Sequence, residues 1–261
     1  MTNTLFVLRS DAGGVTTLTL NRPAARNALS LDMLLALSSE IDRAATDPSV
    51  RVVVLSGAGP AFCAGHDLKE IRAANFGGAY AAKLFSECAK VMLALVLMPK
   101  PVIAQVHGVA TAAGCQLVAS CDLAVAADDA RFATPGVNIG LFCSTPMVAL
   151  SRNVSRKAAM RMLLTGELID ADSALRFGLI SEVAPAAELE TRTAALAAKI
   201  AAKSPLVLAI GKQAFYRQVE LSLAEAYRYT AEVMVANLAK LDAQEGIDAF
   251  IEKRTPQWSG Q

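Results

Sequence analysis

The chain has 261 residues, 54% hydrophobic but only 5% aromatic, so its core must be built chiefly from Ala, Val, Leu and Ile. Its 25 basic and 24 acidic residues leave a formal charge of +1, which gives no electrostatic footprint for nucleic acid. Five cysteines without a C-x-x-C pair suggest neither a disulfide framework nor a zinc site, and two histidines, His66 and His107, are too few for a histidine metal cluster.

In chain order, Leu5–Arg9 and Val15–Leu20 alternate around Gly13-Gly14 and predict a hairpin, closed off by Asn21-Arg22-Pro23. Ser30 is placed to cap a helix from Leu31 to about Ala45. The apolar run Val50–Ser56 predicts a buried strand, and Gly57 to Gly65 a loop. A long helix is expected over Tyr80–Met98, stopped by Pro99, then a strand over Val102–Val106, a turn at Gly108, a short helix over Ala113–Ser120 and a strand over Leu123–Ala127. Beyond Val148 the pattern is helical apart from a strand at Leu179–Val183, with helices over Ala186–Lys203, Pro205–Val219, Leu223–Leu241 and Gln244–Lys253. Alternation of strand and helix predicts a mainly parallel sheet with helices outside. The apolar, all-helical tail is a candidate oligomer surface.

The longest uninterrupted apolar run, Val91–Met98, is too short to span a bilayer, so no membrane association is expected. The first eleven residues lack the basic and apolar regions of a secretion signal and are not typical of an Arg-rich transit peptide. With unpaired cysteines, this predicts a soluble cytoplasmic protein. The basic run Arg152–Arg161 reads as a solvated helix face. Dinucleotide, phosphate-loop, H-E-x-x-H and G-x-S-x-G signatures are absent.

Four stretches carry a resemblance: Asn21-Arg22-Pro23 with Asn27-Ala28-Leu29; Ala61-Phe62-Cys63-Ala64-Gly65-His66-Asp67-Leu68-Lys69; Pro101-Val102-Ile103-Ala104 through Gly108 to Ala113-Gly114-Cys115-Gln116-Leu117 with Cys121-Asp122; and Gly246 through Ala249-Phe250 to Lys253-Arg254. In this order they resemble the crotonase (enoyl-CoA hydratase/isomerase) superfamily over nearly the whole chain. Ala112-Ala113-Gly114-Cys115-Gln116 and Ala133-Thr134-Pro135-Gly136 are most similar to its domain-containing protein 3 type. The resemblance implies an α/β fold, a crotonase-like spiral of strand–strand–helix repeats over residues 1–200, and a helical C-terminal trimerisation region over 201–261. It also implies a homotrimer or homohexamer acting in fatty-acyl metabolism.

It further implies an acyl-CoA substrate, with coenzyme A as part of that substrate and no separate cofactor. Two preorganised N–H donors aimed at a thioester oxygen stabilise the enolate or tetrahedral species, each worth about 10²–10³ in rate. The resemblance places these donors on the backbones of His66 and Ala113. Ala64, His66, Asp67, Leu68 and Lys69 would line the coenzyme path, Arg26 and Lys69 would face phosphate, and Phe250 and Lys253 would reach a neighbouring subunit's ligand. Asp67 is read as a cap or turn carboxylate, His107 as structural, Cys115 as a small buried residue and the His66 ring as a polar pocket wall.

Hydratases of this family use two glutamates, and the corresponding positions here are Gln116 and Gly136. Gln116 can orient a water but cannot accept its proton, and each lost acid–base group costs about 10²–10⁴-fold. Efficient hydration is therefore not expected, and restoring both glutamates together should help more than the two single changes combined. Asn138, Cys143, Ser144 and Thr145 are the candidate replacements. The competing reading is a non-catalytic acyl-CoA binder. A serine peptidase, also known on this fold, would need a nucleophile where Ala113-Gly114-Cys115 stands.

Overall fold

The computed structural model describes residues 5–261, and the first four residues of the segment read for targeting signals lie outside it. Strands β1 (Val7–Ala12) and β2 (Val15–Leu20) form the expected hairpin, the first beginning two residues later than predicted. Gly13 and Gly14 supply φ values of +57° and +80° at its tip, where a side chain would be strained. The Ser30 side chain accepts the Met33 N–H and caps α1 (Leu31–Thr46), which buries Met33, Leu34, Leu37 and Ile41 at helical spacing. The β3 strand (Val52–Gly57) follows, parallel to β2.

A short helix absent from the sequence reading, α2 (Leu68–Ala73), starts at Asp67. Helix α3 (Gly78–Leu97) packs along α1 and buries Leu84, Cys88, Val91 and Leu95. The central succession is β4 (Val102–Val106), β5 (Val109–Thr111), α4 (Ala113–Ser120), β6 (Leu123–Ala127) and β7 (Arg131–Ala133). After it come α5 (Pro146–Asn153), α6 (Arg156–Thr165), β8 (Ile169–Asp170), α7 (Ala171–Phe177) and β9 (Glu182–Ala184). Helices α8 (Leu189–Ala201), α9 (Pro205–Gln218), α10 (Leu223–Leu238) and α11 (Leu241–Glu252) complete the chain.

The main sheet has the order β1-β2-β3-β4-β6-β9 and is parallel except for the β1–β2 hairpin. A smaller sheet, β5-β7-β8, stands beside it, and α8 packs across β3, β4 and β6. Strands β5, β7 and β8 are too short to show a period, which is why the sequence did not announce them. The strand expected at Leu179–Val183 is displaced to Glu182–Ala184. Gly178, at φ +85°, ends α7 in a left-handed turn, and the Leu179 N–H goes to Ala174 O, so Leu179 and Ile180 are buried as a turn rather than as strand residues.

Only Phe62 and Phe132 are aromatic among the largest fully buried side chains; the rest are Leu, Ile and Met. The tail is tied to this core by a half-buried network. Lys212 Nζ on α9 donates to Leu95 O at 2.8 Å, Lys100 O at 2.9 Å and Asp122 Oδ2 at 2.7 Å, and Tyr216 donates to Asp122 Oδ1 at 2.9 Å. Among the described residues, no single helix is long and apolar enough to cross a membrane.

Candidate functional site

The segment Asn21–Leu29 organises the site. Asn27 is fully buried at φ +55°, and its side-chain amide donates to Ala58 O, Ala61 O and Phe62 O at 2.8–3.1 Å while its Oδ1 accepts the Arg22 N–H. One side chain therefore gathers the whole loop that leads into Cys63-Ala64-Gly65-His66. The main chain then stitches the two segments: Ala64 N–H donates to Arg26 O, Leu29 N–H to Gly65 O, and Asp67 N–H to Leu29 O. Those last two bonds flank His66 in a parallel bridge. Its own N–H therefore points to the opposite side, and it donates no backbone hydrogen bond.

On that opposite side lies the start of α4. Thr111 N–H donates to Cys63 O, and Ala112 N–H to Ala133 O. Two glycines set the approach. A methyl group on Gly65, which has φ +93°, would meet Ala112 Cβ at 2.9 Å and Ala113 N at 3.4 Å; one on Gly114 would strike Cys63 O at 2.1 Å. Ala112 itself sits at φ 50°, ψ −117°, a conformation that strains any residue with a side chain, typically by about 1–3 kcal/mol. It turns the chain from β5 into α4 and leaves Ala113 as the first helical residue, whose N–H has no partner within the helix. The positive end of the helix dipole adds to that donor. Two unspent main-chain N–H groups, of His66 and Ala113, are thus carried on adjoining segments.

The side chains divide into spent and unspent. The Asp67 carboxylate caps α2 by accepting the Lys69 and Glu70 N–H groups and pairs with Arg22 at 3.0 Å. Burial alone would raise its pKa, but Arg22 and the two N–H groups hold it below the usual value. Glu70 accepts the Leu31 N–H. His107 is bonded to Gly59 O at 2.8 Å, as a structural residue should be. Burial pushes the Cys115 thiol up to about 12, so it is an inert core group. The His66 ring differs: both nitrogens are closed off from solvent without a hydrogen-bond partner, and the ring meets Phe85 of α3 edge-on at 5.1 Å. Gln116 is 5% exposed, and its Oε1 also has no partner.

Around the second departure the chain is closed. Gly136 lies in a turn where its N–H donates to Cys143 Sγ at 3.3 Å and its carbonyl accepts the Leu141 N–H at 2.9 Å. None of the candidate replacements is poised as a base. Asn138 contacts Gly166 O, Ser144 donates to Phe142 O, Thr145 precedes α5, and burial raises the Cys143 thiol. Ala64 is half-buried, whereas Leu68, Lys69 and Arg26 are exposed on the rim. Phe250, 85% exposed, and Lys253 lie at the end of α11, away in sequence from the donors. The clamp by Asn27, the Arg22–Asp67 pair and the Phe85 contact were not foreseen. Asn27 stood in a recognisable motif, but its partners are backbone carbonyls, which leave no trace in a sequence.

The enoyl-CoA hydratase/isomerase family profile matches residues 10–261. An enoyl-CoA hydratase domain-containing protein 3, mitochondrial, from Xenopus laevis is 53% identical over 98% of this chain and 86% of its own length. The crystal structure of an enoyl-CoA hydratase from Mycobacterium smegmatis superposes with a TM-score of 0.94 at 54% identity, covering 97% of this chain and 98% of that one. That of human enoyl-CoA hydratase domain-containing protein 3 gives 0.94 at 50% identity, covering 97% and 100%. The fold is therefore the crotonase-like spiral that the motifs imply. The cytoplasmic expectation is overturned, since the Xenopus laevis relative and its mouse and human counterparts are named as mitochondrial proteins. Free cysteines report a reducing environment, not the compartment that supplies it. On the full-length profile match and these identities, the chain belongs to the enoyl-CoA hydratase/isomerase family.

Proposed function

We propose that this chain binds an acyl-CoA thioester and stabilises negative charge on the thioester oxygen with the backbone N–H groups of His66 and Ala113. The observation that carries this reading is the pair of unspent donors on adjoining segments, which Gly65 and Gly114 allow to pack closely together. Charge that moves onto the oxygen as an enolate or tetrahedral species forms would meet dipoles already in place, with no reorganisation required. Coenzyme A enters as part of the substrate, along Ala64, Asp67 and Leu68, with the exposed Lys69 and Arg26 offering positive charge to its phosphates. No metal, nucleic acid or membrane is part of this reading.

The assembly proposed is a homotrimer, or a hexamer of two trimers, formed through the helices beyond residue 200. Support comes from the exposed apolar side chains of α9–α11, among them Phe215, Tyr227, Val235, Phe250 and Ile251, which a monomer would leave in water. Phe250 and Lys253 would then contact ligand held by a neighbouring subunit. Light scattering that shows a stable monomer at micromolar concentration would remove this part.

Ordinary hydration is not the favoured reaction, because a water needs a base and the adjacent carbon a proton donor. Gln116 and Gly136, at the positions that the family resemblance assigns to these roles, supply neither. A second reading, a binder without turnover, is favoured by the carboxylates nearest the donors in sequence. Asp67 and Glu70 are both committed to backbone N–H groups. Calorimetry with crotonyl-CoA, together with its steady-state hydration, tests both readings. Tight binding with slow hydration is expected. A kcat of about 10 s⁻¹ or more, ordinary for an enzyme, would show that another group transfers the proton.

A further inference from the structure

We propose that the His66 imidazole and the Gln116 carboxamide are specificity-determining side chains that hydrogen-bond an uncharged oxygen substituent on the acyl chain. The inference rests on the acyl-CoA reading above and concerns the side chains at positions where that reading uses only main chain or left no role.

Buried polar groups in folded proteins are almost always paired, so each exception calls for a partner from outside the chain. Three such atoms belong to the two donor segments: Nδ1 and Nε2 of His66, and Oε1 of Gln116, one turn into α4, are buried and unbonded. The His66 ring lies edge-on to Phe85 of α3, and Ser120, one turn beyond Gln116 on α4, donates to Gln116 O at 2.8 Å with its hydroxyl oxygen 3.4 Å from Met92 Sδ of α3. Side chains four apart share a helix face, so Gln116 lies on the face of α4 that Ser120 turns toward α3, one turn from the helix start that Gly65 approaches. Helices α3 and α4 pack against each other.

The chemistry of the pair defines what it accepts. Burial, opposed only by the nearby Leu29 main chain, which lies outside hydrogen-bond geometry with the ring, holds the His66 pKa below its ordinary value of 6.5. At neutral pH the ring therefore offers one N–H donor and one lone pair, and Gln116 offers an amide acceptor and donor. A hydroxyl can accept from the His66 N–H while donating to Gln116 Oε1, and so pairs one group of each side chain. A saturated chain leaves them unpaired. A carboxylate only accepts, and neither side chain brings the positive charge that its burial would require.

The test is titration calorimetry of the full chain with butyryl-CoA, 3-hydroxybutyryl-CoA and malonyl-CoA, repeated on His66→Phe and Gln116→Met. Both variants keep side-chain volume and the main-chain N–H, and thermal melts establish that each is folded. Wild type should bind the hydroxyacyl thioester about tenfold more tightly than butyryl-CoA, the upper range of one net neutral hydrogen bond, and malonyl-CoA most weakly. The hydroxyacyl-to-butyryl ratio should fall toward one in each folded variant, a change that a purely structural role would not produce. Equal affinity for the two chains in wild type, a ratio unchanged in the variants, or a preference for malonyl-CoA would each overturn the proposal while leaving acyl-CoA binding intact. Failure of wild type to bind any of the three would overturn it together with the proposed function.

Discussion

Placing a carboxylate at position 136 is the direct way to ask whether hydration was lost for want of a glutamate, and the structure argues against success. A Cβ built on Gly136 lies 2.8 Å from Leu141 O, 2.9 Å from Cys143 Sγ and 3.3 Å from Cys143 N. Two of these are main-chain atoms of a turn that is itself held by the Leu141 N–H to Gly136 O and Gly136 N–H to Cys143 Sγ bonds. Overpacking of this kind costs about 1–3 kcal/mol, and losing the two hydrogen bonds adds about 1 kcal/mol each, for a total of roughly 3–5 kcal/mol. At about 2–4 °C per kcal/mol for chains of this size, Gly136→Glu should lower Tm by roughly 6–20 °C. Gly136→Ala meets the same atoms and should show most of the loss, whereas Gln116→Glu, nearly isosteric, should melt closer to wild type. Steady-state hydration of crotonyl-CoA should then be no faster in the double variant than in Gln116→Glu alone. That outcome replaces the synergy expected from sequence, where Gly136 was an empty role and not a filled space. A double variant with the wild-type Tm that hydrates more than about 100-fold faster than either single change, within the reach of restored acid–base catalysis, would show that the turn yields and would refute the steric argument.

Lys212→Met strands the Asp122 carboxylate and should cost about 3–5 kcal/mol in urea unfolding, because a half-buried charge loses its partner. A loss below about 1 kcal/mol would mean that water replaces the lysine. Asn27→Ala leaves the carbonyls of Ala58, Ala61 and Phe62 without their shared donor and should destabilise by about 1–3 kcal/mol while weakening acyl-CoA binding, both readable by melting and calorimetry. Burial depresses the His66 pKa, so below 6.5 the unfolded chain takes up a proton more readily than the folded one. Its contribution is therefore neutral above that pH and destabilising as pH falls through 6.5 toward the folded value. His66→Phe should flatten this limb of the stability–pH curve, and an unchanged slope would assign it elsewhere. Lys69→Glu should weaken acyl-CoA affinity and reduce its salt dependence, and unaltered calorimetric affinity would take Lys69 out of the coenzyme path.

Much of the architecture was legible because its signals are local. Ser30 and the Met33, Leu34, Leu37, Ile41 spacing announce α1, and Val102–Val106, Ala113–Ser120 and Leu123–Ala127 emerge with the bounds that the periodicity predicts. The small sheet was invisible, since strands of two or three residues carry no period, and α2 was hidden behind Asp67, which was read as a possible cap without its helix. At the site, the spacing of Ala64-Gly65-His66 and Ala113-Gly114 located the candidate donor segments. It could not reveal that Asn27 gathers the intervening loop, that Ala112 adopts a glycine-like backbone, or that Gly136 is packed against a turn. Those facts depend on which distant carbonyl lies opposite, and only the folded chain fixes that.

The donors proposed here are main-chain atoms, and this has a consequence for how the site could be found by experiment. Alanine scanning would pass over it: Ala113 is already alanine, and His66→Ala leaves its N–H where it was. A library of side-chain variants would report the supporting residues, Asn27, Gly65 and Gly114, as the sensitive positions and would score them as folding defects. Replacing the amide nitrogen at residue 66 or 113 by an ester oxygen, through backbone chemical synthesis, deletes one donor and leaves every side chain intact. In such a chain the melting curve should barely move while the affinity for a thioester enolate mimic falls.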